Sequence, residues 1–124
     1  MSEHCVTDLK TQFHKCMPLF IALGDEIRLT IVEALTDEAY RRCNGDFSAE
    51  NISRHGLNVR EITEQTSLSR PAVSHHLKIL KNAGLISMRR EGTCNYYYLS
   101  IADSTSELMY LGQRLRNIFH FEME

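Results

Sequence analysis

Asn58-Val-Arg-Glu-Ile-Thr-Glu-Gln-Thr-Ser-Leu-Ser-Arg-Pro-Ala-Val-Ser-His-His-Leu-Lys-Ile-Leu-Lys-Asn-Ala83 is the stretch whose reading decides the fold. Asn58 is a capping residue ahead of Val59, Ile62 and Thr66, a pattern that predicts a short helix closed by the tight Ser67-Leu68 connection. Ser69 caps the next helix. Pro71 falls in its first turn, where the missing N–H has no partner to lose. Val73, Leu77 and Leu80 repeat at helical spacing and turn toward a core, and Asn82-Ala83-Gly84 ends the helix at a glycine. Two short helices on a tight turn, the second opening on serine and polar on its outer side, are the sequence form of a helix-turn-helix over 58–83. The 3.6-residue period then turns Arg70, Ser74, His75, Lys78 and Lys81 outward, with Ser69 at the helix start.

The next residues extend the pattern. Leu85 to Arg90 and Asn95 to Leu99 read as strands, separated by Glu91-Gly92-Thr93-Cys94, a four-residue loop containing glycine. This is a wing over 85–99. Lys78, Lys81, Arg89 and Arg90 suit phosphates, which give affinity without sequence information. Arg70, Ser74 and His75 occupy the half of the helix that enters a major groove, and each can donate to base N7 or O6 acceptors. His76, next to them, reads as a satisfied, partly buried histidine.

Upstream, Val6, Leu9, Phe13, Cys16 and Phe20 step by three or four and predict an amphipathic helix over 6–22, starting near Thr7 and Asp8. Pro18 lies inside it, so a kink or break near Met17 is expected. Asp25 caps a second helix with Ile27, Ile31, Ala34 and Leu35 inward, which ends before Asn44-Gly45. Residues 44 to 57 are polar and read as a variable loop holding at most one helical turn from Ser48 to His55. Residues 37 to 57 are also a candidate ligand or partner surface. A last helix over 103–121, capped near Asp103 or Ser104, carries Leu108, Leu111, Leu115, Ile118 and Phe119 on one stripe.

These elements make a mainly α single domain over 1–124 with a small β-hairpin, of about five helices. Hydrophobic residues at 43% and charged residues at 24% place the chain among globular proteins. The net charge of −2 is unevenly spread: residues 58 to 95 hold six basic against three acidic groups, or +3, which leaves −5 for the rest. Phosphates feel charges within about 8 Å at physiological salt, so the local basic face outweighs the acidic total. No apolar run approaches a membrane span and no basic-then-apolar leader is written, so a cytoplasmic protein is expected, without membrane contact. No nucleophile with a base, paired carboxylates or phosphate-cradling glycine loop is suitably spaced, so an enzyme is not expected.

The run Leu68 to Ile86, followed by Arg89-Arg90-Glu91-Gly92 and Tyr96-Tyr97-Tyr98-Leu99, resembles the arsenic-repressor (ArsR/SmtB) family. Ala22-Leu-Gly-Asp25 with Arg28-Leu29 resembles that family's opening segment, so the likeness spans nearly all the chain except 37 to 57. The resemblance implies a homodimeric repressor released from operator DNA by an inducer. Separately, the apolar stripes of the first and last helices exceed what one small domain can cover, which predicts a dimer through Leu9, Phe13, Cys16, Phe20, Leu108, Leu111, Leu115 and Ile118. Two recognition helices about 34 Å apart would read a palindrome. A winged-helix protein-interaction module without specific DNA binding is the alternative.

The inducer is less legible. Where members of that family that sense metals carry Cys-x-Cys, this chain has Leu57-Asn58-Val59. Where others carry Asp-x-His and a later His pair, it has Asp103-Ser-Thr105 and a solitary His120. Cys5, Cys16, Cys43 and Cys94 remain. Three thiolates suit arsenite or a soft metal and two suit a redox disulfide, yet cysteine is also an ordinary small core residue. No cofactor is required for the fold, and a non-thiol ligand stays open.

Overall fold

The computed structural model describes residues 3–119. Asn58 does cap a helix: its side chain accepts the Glu61 N–H while the Glu61 carboxylate accepts the Asn58 N–H, a reciprocal box that satisfies two otherwise orphaned donors. That helix, α4 (Val59–Glu64), leads to α5 (Arg70–Asn82), capped by the Ser69 hydroxyl accepting from the Ala72 N–H. Around this pair the order is α1 (Glu3–Leu23), α2 (Glu26–Arg42), α3 (Ala49–Ser53), then α4 and α5, the hairpin β1 (Ile86–Glu91) and β2 (Cys94–Leu99), and α6 (Ala102–Phe119). The described residues thus hold six helices and one antiparallel hairpin. The extra helix over the expected five is α3.

The main core gathers one stripe from each element around α5. Val73, Leu77 and Leu80 meet Ile62 of α4, Ile31 and Leu35 of α2, Leu19 and Ala22 of α1, and Ile86 of β1. Each buried valine, leucine or isoleucine among them contributes about 1.5–3 kcal/mol. A second cluster joins α1 to α6 through Leu9, Cys16 and Leu111, with Leu115 and Ile118 packed against it. Gln12 crosses that seam and donates to the Glu107 carbonyl at 2.9 Å and its carboxylate at 2.8 Å, so the buried amide fixes the pairing of the two helices.

Several local expectations change. α1 starts at Glu3, and Thr7 lies inside it, its hydroxyl donating to the Glu3 carbonyl. Pro18 does not end α1, which continues to Leu23. Only the His14 carbonyl loses its donor, His14 is exposed to water, and burial of Leu19 and Ala22 in the turn beyond holds the helix together. α6 opens at Ala102, one residue before the expected caps. Ser104 donates its hydroxyl to the Ile101 carbonyl instead of accepting from the helix start. The strands run one residue closer to the tip than expected: Glu91 pairs with Cys94, which leaves a two-residue turn of Gly92-Thr93. Gly92 adopts φ 63°, as the first central position of a type II′ turn requires. Residues 120 and 121, the expected end of the last helix, lie outside the described residues.

The segment read as a variable loop is built into the fold. Ser48 caps α3, and Asn51 donates to the Cys43 and Asp46 carbonyls, which closes the turn after α2. Leu57 then pairs with Tyr97 on the outer edge of β2, with N–H···O distances of 3.0 and 2.8 Å in the two directions. Gly56 precedes that bridge because any Cβ there would run into the Tyr97 carbonyl oxygen.

Asn58→Ala is expected to lower the unfolding free energy by about 1 kcal/mol in a urea titration, while Asn58→Ser, which keeps the acceptor, stays near wild type. Gly56→Ala should cost more, about 2 kcal/mol by the same measurement, because the bridge from Leu57 to Tyr97 must shift.

Candidate nucleic-acid interface

α5 presents two opposed faces. Val73, Leu77 and Leu80 are fully buried, while Ser69, Arg70, Ser74, His75, Lys78 and Lys81 are all exposed. This is the outward set that the helical period selects. Among the described residues Arg70, Lys78 and Lys81 make no ion pair, so their charges are uncompensated. Arg70 stands on the first turn of α5, where the helix N-terminus adds its own positive potential.

The wing residues divide. Arg90 is exposed and unpaired among the described residues. Arg89 points to the opposite face of the hairpin and is committed: it donates to the Ser53 carbonyl at the end of α3 and to Glu91 at 3.0 Å, and its guanidinium lies 5.0 Å from the centre of the Tyr96 ring. This side chain is a brace between α3 and the wing. Sequence reading grouped Arg89 with Arg90 because adjacent strand residues look alike until their opposite faces acquire neighbours.

A cleft of about 390 Å³ separates the start of α4 from the wing tip, lined by Asn58, Val59, Arg60, Arg70, Thr93, Cys94 and Asn95. Its two arginines, Arg60 and Arg70, make no ion pair among the described residues. Arg60 counted toward the basic segment, yet nothing in its spacing marked it as part of the same surface as Arg70. Next to this cleft lies a second of about 350 Å³ among α2, α3, α4 and β1, where Arg42, Arg54, Arg60 and Arg89 meet Glu38, Glu61 and Glu91. Most of its charge is already neutralised: Arg42 binds Glu38 at 3.0 Å, Arg41 binds the same carboxylate at 2.8 Å, and Arg54 binds Glu50 at 2.8 Å.

The cysteines are dispersed. Cys16 is buried in the seam between α1 and α6, Cys43 is buried as the C-cap of α2, Cys94 is exposed at the wing, and Cys5 is partly buried near the start of α1. Burial pushes the Cys43 thiol above its ordinary pKa, and the Asp46 and Glu38 carboxylates push it further, which disfavours the thiolate that a metal needs. Among the described residues no three His, Cys, Asp or Glu side chains are arranged to hold a metal ion. His120 lies outside them.

The expected dimer residues fall into two groups. Leu9, Cys16 and Leu111 are buried within the protomer, and Leu115 and Ile118 are partly so. Phe13, Phe20 and Leu108 are exposed, and Met17, Ile21, Met109 and Tyr110 on the same two helices are exposed with them.

Residues 51–88, from α3 into β1, match the family described as bacterial regulatory protein, arsR family. An uncharacterized HTH-type transcriptional regulator of Methanocaldococcus jannaschii is 35% identical over 104 residues, which span 84% of this chain and 98% of that protein. The transcriptional repressor SdpR of Bacillus subtilis is 34% identical over 66% of this chain and 72% of its own length. Among solved structures, a homodimeric winged helix-turn-helix DNA-binding domain from Mycobacterium bovis superposes with a TM-score of 0.53 at 22% identity, covering 100% of this chain and 96% of that one. The last likeness speaks to the fold. Since the match to the archaeal regulator spans nearly that protein's whole length and the family match covers the capped α4 and α5 that carry the exposed basic face, this chain belongs to the arsR family of bacterial regulatory proteins.

Proposed function

We propose that this protein is a sequence-specific DNA-binding transcriptional regulator rather than an enzyme, a homodimeric repressor in the cytoplasm that an inducer releases from a palindromic operator. The observation that carries the reading is the uncompensated outer face of α5, where Arg70, Ser74, His75, Lys78 and Lys81 are exposed and the cations among them make no ion pair with the described residues. Arg70, Ser74 and His75 read base edges in the major groove, and a good bidentate pair there contributes about 1–3 kcal/mol of discrimination. Lys78, Lys81 and Arg90 hold phosphates, and Ser69 orders the helix start that faces the backbone. Arg89 acts indirectly by holding the wing against α3.

Dimerisation uses the faces of α1 and α6 that the protomer leaves uncovered. Phe13, Phe20 and Leu108, with Met17 and Ile21, are large apolar side chains that the protomer leaves exposed on these two helices, as an interaction face would. The Mycobacterium bovis domain, whose fold this chain shares, is homodimeric. Leu9, Cys16 and Leu111 support this surface from behind. A two-fold pairing sets the two α5 helices about 34 Å apart, one turn of duplex. The inducer is a soft metal, arsenite, an oxidant or another ligand. Cys94 is the most accessible thiol, and burial disfavours the thiolate of Cys43.

Selection of duplexes from a randomised pool by the purified protein is expected to recover a short palindrome; recovery of no duplex even at low salt would favour a protein-interaction module. Arg70→Ala with Lys78→Ala should abolish specific retention in a gel shift, and each phosphate contact removed should reduce the slope of log affinity against log salt by about 0.9. Unchanged retention would remove α5 from the interface. Phe13→Glu with Leu108→Glu should yield a folded monomer by sedimentation, with the palindrome bound far more weakly.

A further inference from the structure

Arg28, in the first turns of α2, has a side chain only 11% exposed, with all three nitrogens engaged. Nε donates to the Ala22 carbonyl at 2.7 Å and Nη2 to the Ile21 carbonyl at 3.1 Å, both at the end of α1. Nη1 lies 3.9 Å from the Asp25 carboxylate and donates to Nδ1 of His76, on α5, at 3.2 Å. One guanidinium therefore ties the end of α1 and the cap of α2 to the recognition helix. Asp25 is held there by the Arg28 backbone N–H, which also keeps its carboxyl below the usual carboxylate range.

An arginine only donates, so its bond to His76 requires a bare Nδ1 and places the ring's single proton on Nε2. Protonating Nδ1 removes the acceptor and sets a second positive charge against the first. The other groups around the ring are few. Asp25 acts on it electrostatically from the start of α2, the neighbouring His75 ring on α5 lies 5.9 Å away between centroids, and among the described residues no hydrogen bond or ion pair reaches it from α1, α4 or β1. Asp25 offsets one of two cations. His76 is flanked by His75 on the exposed side and Leu77 on the buried side, so movement at its Cα carries Ser74 and His75 with it.

We infer that Arg28 and His76 are positioning residues for DNA recognition, their hydrogen bond holding α5 in its reading position only while His76 is neutral, so that acidification weakens binding. The inference rests on the DNA-binding reading above. Its sign is diagnostic, because protonation of the outward His75 would add positive charge toward phosphates and tighten binding instead. Histidine changes charge between about pH 5 and about pH 8, which sets the range to examine.

The test uses the full chain and a fluorescent duplex recovered by the wild-type protein from a randomised pool, with anisotropy read from about pH 8 to about pH 5.5 at constant ionic strength. The wild type is expected to lose about tenfold in affinity across that range, the size of one charge-assisted hydrogen bond. His76→Asn, whose Oδ1 offers Arg28 an acceptor that does not titrate, should bind like wild type at the alkaline end and lose the decline. The nitrogen chemical shift of His76 Nδ1 in the DNA-free wild type, which needs no variant, should report a bare acceptor at the alkaline end and protonation in step with the loss of affinity. A flat or rising wild-type profile, a full decline in His76→Asn, or an Nδ1 that is protonated throughout would overturn the inference. Absence of duplex binding at every pH would instead overturn the DNA-binding reading and this inference with it.

Discussion

The structure depends on the burial of one stripe of α5. Val73, Leu77 and Leu80 insert among side chains from α1, α2, α4 and β1, so every other element of the main core is placed by contact with this helix. Burying that stripe forces the opposite one outward, and Arg70, Ser74, His75, Lys78 and Lys81 are exposed as a geometric consequence of 3.6 residues per turn. The apolar positions do the folding and the polar positions are left free for recognition. In the wing the alternation sorts side chains differently: Arg90 is exposed on the face of β1 it shares with Met88, while Arg89 and Glu91, on the other face with Ser87, bind each other.

What surrounds α5 holds it at a defined angle. The capping box fixes where α4 begins, and the tight turn after it fixes where α5 begins. α3 and Leu57 clamp the outer edge of the wing through the Tyr97 bridge and the Ser53 carbonyl bound to Arg89. Arg28 reaches from the end of α1 to the middle of α5. Since α1 also offers the apolar surface proposed for dimerisation, a change in how two subunits meet has a short physical route to the recognition helix. That route consists of hydrogen bonds between elements already packed together.

Much of this was legible in the sequence because its causes are local. Asn58, Ser69, Pro71, Gly84 and the Val73-Leu77-Leu80 spacing each act within one or two turns, so α4, α5 and the wing could be placed from residue order alone. The outward set on α5 followed from the same spacing. Features that depend on distant partners were not legible. Pro18 is tolerated because the turn beyond it is buried against other helices. Arg89 is drawn away from Arg90 by a carbonyl 36 positions earlier, and His76 is satisfied by an arginine 48 positions away. The stripe on α1 and α6 was seen, but periodicity could not say which of its members face each other inside a protomer and which face out.

Methylation protection at guanine N7 tests the central claim most directly, because N7 lies on the major-groove edge that the outer face of α5 is proposed to read. On a duplex selected by the protein, the account predicts two patches of protected guanines about one helical turn apart, both in the major groove, and loss of protection within each patch when Arg70 is replaced by alanine. Protection absent from the major groove, or unaltered by that replacement, would contradict it.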